Sequence, residues 1–313
     1  MSFTYDQVTS ISQKLILEML DKGIFTDDSI CGDMRDRQQI IDGGTTITAP
    51  LISVDDTGSV GGFYSSRDAL SLDEADVITS AEVSLKQIYE SVVIYKFDLA
   101  KNGGKLGVLR LIDSKVQAAQ SQMKQRITKG LLSDGTSNQF NGAAEMIASS
   151  GTYAGIAPAD LSVWASQVDD NAGVGRALTQ LILDGVFDDS TEGNDQGPTH
   201  CYMRKQVFTP FKQLLTPFQR TTREDSVSGL GHKGSSIIYN GAEFKVENQM
   251  AASTIFGLDL RKWKLYVQKD NNMRRQSIKD LETADALLER IFLYANALTA
   301  DRRHHFRIND INE

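Results

Sequence analysis

The stretch that decides the reading is Lys105 to Leu131, KLGVLRLIDSKVQAAQSQMKQRITKGL. Leu109, Ile112, Val116, Ala119, Met123 and Ile127 recur at steps of 3, 4, 3, 4 and 4. That spacing gathers side chains on one side of an α-helix. At 1.5 Å per residue the helix would be roughly 40 Å long. Its opposite side (Arg110, Lys115, Gln117, Gln120, Gln122, Lys124) is polar. This predicts a helix lying across a sheet rather than inside a core.

Working outward, the segment before the helix reads as extended. Thr45 to Val54 is β-like, and Pro50 marks it as an edge strand. Asp55 to Gly62, DDTGSVGG, is turn-rich. Val77 to Leu99 returns with Val83, Leu85, Tyr89, Val92, Ile94 and Phe97 in mostly alternating order. Together, Thr45 to Lys101 form a ribbon too long for their own domain to cover. A two-stranded ribbon is marginal alone in water, so a neighbouring copy is expected to bury it. Farther upstream, Val8, Ile11, Leu15, Met19 and Leu20 form a helical stripe closed by Gly23. Asp27 to Gly44 shows no clear period and reads as a surface arm.

Downstream, Ser133 to Ser137 is a turn, and a loop runs on to Trp164. Val174 to Phe187 reads as a second amphipathic helix, Asp188 to Pro198 as an acidic loop, and Arg204 to Leu215 as a shorter helix. Ile237 to Val246 is a hairpin, because Asn240-Gly241 suits a type I′ turn. Leu258 to Gln268 and Leu287 to Leu298 are strand-like.

The 313 residues are 40% hydrophobic and 24% charged, with net charge −8. These values suit a globular chain with an ample core. The acidic balance argues against a dedicated nucleic-acid binder, which carries a basic stripe. It permits a container whose inner wall does not grip its polymer. Cys31 and Cys201 are too few for a disulfide framework and read as buried free thiols in a reducing compartment. The opening MSFTYD has no signal-peptide character, and no window has the roughly 20 apolar residues of a membrane span.

Several ordered segments carry a family resemblance: Lys129 to Thr136 (KGLLSDGT), Asn141-Gly142, Leu161 to Trp164, Gly231 to Gly234, the Ile237 to Val246 hairpin, Phe256-Gly257-Leu258 and Arg302-Arg303. With the ribbon and long helix before them, the chain resembles the major capsid proteins of tailed double-stranded DNA bacteriophages that share the fold named after phage HK97. The resemblance implies an α+β fold with an N-terminal helix and arm (1–44), an extended E-loop (45–101), a P-domain with its spine helix (102–166), an A-domain (167–248) and a return to the P-domain sheet (249–313).

The same resemblance implies a virion shell protein that self-assembles in the host cytoplasm into hexamers and pentamers of an icosahedral or prolate head. The head encloses double-stranded DNA without sequence-specific binding. A portal is an expected partner, scaffolding or decoration proteins are optional ones, and no cofactor, metal, membrane or enzymatic activity is expected. Expected inter-subunit contacts are Gly58, Gly61, Gly62, Phe63 and Tyr64 at the E-loop tip, and Asp188, Asp189 and Gly193 in an A-domain loop. Some relatives cross-link a lysine to an asparagine. Here Lys86 and Lys96 lie away from the glycine-rich tip, and no cross-link is expected.

Other constellations are weaker. Gly229 to Gly234 spells G-x-G-x-x-G, but polar residues precede it and a strand follows, the reverse of a dinucleotide loop. His200-Cys201 and His304-His305 each lack the rest of a zinc ligand set. Asp68, Asp73, Glu74 and Asp76 do not match a calcium loop, and read as an interface charge run facing basic residues such as Arg261, Lys262, Lys264, Arg274 or Arg275. Two alternatives stay open beside the capsid reading: an encapsulin-like nanocompartment shell and a nucleotide-binding β-rich enzyme.

Overall fold

The computed structural model describes residues 30–52, 63–66, 78–101, 105–136, 138–158, 161, 164–191, 197–215, 237–281 and 283–312. The expected helix at 6–20, the tip at 55–62, the acidic run at 68–76 and the glycine loop at 229–234 lie outside them. Six helices are described: α1 Ile30–Arg35, α2 Lys96–Lys101, α3 Lys105–Leu131, α4 Ala143–Met146, α5 Gln180–Ser190 and α6 Lys205–Leu215. Thirteen strands accompany them: β1 Gln39–Ile41, β2 Thr46–Ile52, β3 Ile78–Ser84, β4 Lys86–Tyr95, β5 Gln167–Asp169, β6 His200–Met203, β7 Ile237–Tyr239, β8 Ala242–Val246, β9 Ile255–Leu258, β10 Trp263–Gln268, β11 Arg274–Asp280, β12 Ala286–Thr299 and β13 Phe306–Ile308.

The 14-residue strand β12 organises the first sheet. Along one edge it pairs antiparallel with all of β4, from Ala286↔Tyr95 to Ala295↔Lys86. Its other edge takes β11 and then β10, and β1 adds to β10 in parallel. The helix α3 lies on this sheet. Ile112, Val116, Ala119, Met123 and Ile127 are buried as the spacing predicts, in one core with Val92, Ile94, Ile291 and Leu293. Arg126 on α3 reaches down to the buried Glu90 on β4 at 2.9 Å.

The second sheet has six strands in the order β5-β13-β9-β6-β8-β7. One face contributes Tyr202, Phe256 and Leu258 to the α3 core. The other packs Cys201, Met203, Phe244, Phe306 and Ile308 against Leu183, Val186 and Phe187 of α5 and Val207, Phe208 and Phe211 of α6. Phe211 stacks on Phe244 at 4.3 Å between ring centroids. The β7–β8 hairpin turns at Asn240 and Gly241, whose φ angles of 48° and 81° are those of the expected type I′ turn.

Four expectations change. Within the expected arm at 27–44, the described residues from Ile30 onward are not a free arm. Ile30, Cys31 and Met34 of α1 bury themselves in the α3 core, and β1 joins the first sheet. The returning limb does not run on as a ribbon. Only β3 pairs with β2, from Thr46↔Ser84 to Ile52↔Ile78; β4 belongs to the sheet, and Phe97 sits on α2 rather than on a strand. The base of the ribbon is therefore covered by its own chain, with Ile47, Ala49, Leu51, Ala81 and Val83 all buried. Finally, α5 begins at Gln180 instead of Val174, because Thr179 caps it by accepting the Ile182 N–H. It runs through Ser190, so Asp188 and Asp189 are helical and not loop. A turn over 259–262 likewise separates β9 from β10.

Candidate functional site

A buried polar knot ties the base of the ribbon to the body of the fold. Asn296 on β12 donates from Nδ2 to the Ser84 carbonyl at the end of β3 and to Asn141 Oδ1, both at 2.6 Å. Its Oδ1 accepts the Asn141 N–H at 2.9 Å. Asn141 Nδ2 then donates to the Glu145 carboxylate at 2.8 and 3.0 Å. Burial raises the Glu145 pKa. Because Asn296 is itself fully buried, these bonds replace hydration it has lost. They fix the ribbon, the loop after α3 and β12 to one another.

Phe63 and Tyr64, two of the five expected tip contacts, are exposed, at 112% and 67%. Gly58, Gly61 and Gly62 lie outside the described residues. Asp188 and Asp189 are exposed on the last turn of α5, a different element from the ribbon, and Gly193 also lies outside the description. A cleft of about 460 Å³ adjoins Asp188 and is lined in part by Phe187, Thr191, Pro198, Asn240 and Arg261. The Arg261 guanidinium is held by Asp259 at 2.8 Å and by the Gly197 carbonyl at 2.9 Å. The lining of the cleft carries one carboxylate, Asp188, and no histidine or cysteine.

Sequence reasoning missed a second exposed apolar surface. On β4, Val92 and Ile94 face the α3 core while Tyr89 and Tyr95 point the other way, 56% and 52% exposed. Phe292 lies opposite Tyr89 at 6.5 Å between ring centroids, and Arg274 covers the Phe292 ring at 5.1 Å. The available signal was a strand apolar on both faces, Ile88-Tyr89 above all. Leu181 on α5 and Ile238 on β7 are exposed as well.

The other candidates have structural places. His305 is buried between the Asp259 N–H and Thr299 Oγ1, and His304 Nδ1 lies 3.2 Å from the Ser190 carbonyl. Arg302 is buried against Tyr153 and Trp164 and donates to the carbonyls of Met146 and Ala148. Among the basic residues expected to meet the acidic run, Arg261, Lys262 and Arg275 are already paired within the chain with Asp259, Asp301 and Glu289. Cys31 and Cys201 are free and buried, and burial pushes the Cys31 thiol up to about 12. Among the described residues, no three His, Cys, Asp or Glu converge as a metal site, and no helix is long and apolar enough to cross a membrane.

A long helix laid on a sheet built around one extended strand, a second sheet sharing its core, and a two-stranded ribbon make an α+β fold of the kind that builds phage capsids. Solved structures bear this out. The chain is similar to the capsid subunit of cyanophage A-1(L), at TM-score 0.63 and 18% identity, covering 88% of this chain and 90% of that one. It is similar to the capsid of the native GTA particle at TM-score 0.62 and 10% identity, over 92% and 94%. A holo-SrpI encapsulin complex from Synechococcus elongatus is also similar, at TM-score 0.51 and 11% identity, over 88% and 85%. No family model matches the sequence, and a search of the curated proteins finds no relative.

Proposed function

We propose that this chain is a structural, non-enzymatic subunit of a closed capsid shell, the major capsid protein of a tailed bacteriophage, assembled in the host cytoplasm around double-stranded DNA. The observation that carries the reading is the fold itself, matched over about nine-tenths of the chain by the capsids of a cyanophage and of a GTA particle. The β2–β3 ribbon and its tip serve as the E-loop, α3 as the spine helix of the P-domain, and the six-stranded sheet as the core of the A-domain (167–248), to which β9 and β13 are lent by the C-terminal segment. Hexamers and pentamers form by A-domain contacts that include Asp188, Asp189 and Gly193. The E-loop tip, through Gly58, Gly61, Gly62, Phe63 and Tyr64, lies over an adjacent subunit. Holding each subunit by several neighbours sums weak contacts into a stable lattice. A portal completes the head, with scaffolding or decoration proteins as further partners.

Deleting residues 58–63 tests the assignment. The knot at Asn296 and the buried base of the ribbon are left whole, so the variant should fold with the circular dichroism of the parent and form no closed particles in electron micrographs. Normal particles from the deletion would refute the E-loop role. The encapsulin-like similarity supports a second reading, a nanocompartment shell, and particles that hold a protein cargo rather than long DNA would favour it.

A further inference from the structure

The charge of the chain is unevenly distributed. The 27 residues of α3 contain six basic side chains (Lys105, Arg110, Lys115, Lys124, Arg126, Lys129) and one acidic side chain, Asp113. One helix thus carries +5 in a protein of net −8, leaving −13 on everything else. Part of that charge is used internally: Arg126 holds Glu90, and Lys124 lies in the field of Glu247. Lys115 and Lys129 are exposed, with no ion-pair partner among the described residues. Both lie on the exposed part of α3, about 21 Å apart along its axis.

Between them the exposed surface is made of Gln117, Ala118, Ser121, Gln122, Gln125 and part of Arg126. It offers no large apolar side chain, the kind of anchor a protein partner needs at the centre of its interface. Lysine, arginine, glutamine and serine are the side chains that hold phosphate oxygens without reading bases. We infer that this face of α3 lines the shell's lumen and contacts the phosphate backbone of the enclosed nucleic acid, which fixes which side of the subunit faces inward. Two lysines per subunit that pair with no described residue make a light grip: each contact releases about one counterion, weak enough to let the polymer slide yet repeated in every subunit. The inference rests on the shell reading proposed above.

The test uses particles assembled by the full chain, comparing the parent with K115E/K129E after nuclease treatment of the outside. Parent particles are expected to hold protected nucleic acid, and variant particles of equal size about half as much or less at physiological salt. The surface contacts phosphates rather than bases, so DNase and RNase digests of the extract say which polymer was held. Lys115 and Lys129 should also resist an amine-reactive polymer too large to enter intact shells, and react once the shells are opened. Should the glutamates block assembly, K115Q/K129Q repeats the test with a side chain this face already carries. Equal nucleic acid in both particles, or labelling of the two lysines on intact shells, overturns the inference and leaves the shell reading standing. Loss of a co-purifying acidic protein with nucleic acid unchanged would assign the face to a protein and overturn it too. A parent chain that forms no particles overturns the shell reading, and the inference falls with it.

Discussion

At Gly142 no side chain fits. A Cβ there would stand 2.6 Å from the carbonyl oxygens of Gly130 and Ser133 and 2.7 Å from that of Leu131. The glycine lets the loop after α3 close against the helix's own C-terminal carbonyls, where Ser133 Oγ sits between the Gly130 and Phe140 carbonyls at 2.8 and 2.7 Å. Backbone cannot yield as a flexible side chain can, so Gly142→Ala should cost about 3 kcal/mol, read from the denaturant midpoint. His305 makes a pH prediction. The Asp259 N–H donates to its Nδ1 at 3.0 Å, so the neutral ring carries its proton on Nε2, toward Thr299 Oγ1. Burial pushes the His305 pKa down from 6.5 to about 4. A folded pKa below the unfolded one means stability that is complete above about pH 6.5 and lost as pH falls toward 4. Urea unfolding at pH 8, 6 and 4 should show the decline, and His305→Gln should flatten it.

At the scale of the element, α1 is the test of how the N-terminal segment is held. Asp33 accepts from Tyr202 Oη at 2.5 Å and from Lys245 Nζ at 2.8 Å, linking α1 to β6 and β8. Among the described residues, Asp33→Ala leaves the buried Lys245 with only Glu243, at 3.4 Å. It should cost about 2 kcal/mol, with hydrogen exchange quickening over residues 30–41 ahead of the rest of the molecule. This element was not legible in the sequence. Three apolar residues in six make too short a run for a period to emerge, and the contacts that hold it are distant in the chain. The helix α3, the β7–β8 hairpin and β12 were legible, because each satisfies its own pattern locally. The pairing of β4 with β12 was not, since alternation says that a strand exists and not which strand it joins. The start of α5 was misread where a capping threonine outweighed apolar periodicity. Of the candidate tip contacts, Phe63 and Tyr64 are exposed. The aromatic row on the far side of β4 escaped notice because its neighbours in sequence explain the same residues as core.

At the scale of the whole molecule, the described residues close two cores but leave large apolar side chains outside both: Phe63 and Tyr64 beyond the ribbon, Tyr89 and Tyr95 on the outer face of the first sheet, Leu181 on α5. Scattered singly, such residues need no partner; in the shell proposed above they are the surfaces that another copy would cover. The most direct test is the mass of the purified full chain in solution, by light scattering joined to negative-stain microscopy. Closed particles of uniform size, many times the 34.5 kDa subunit, are the predicted result. A stable, monodisperse monomer that no concentration or salt condition drives into shells would contradict it.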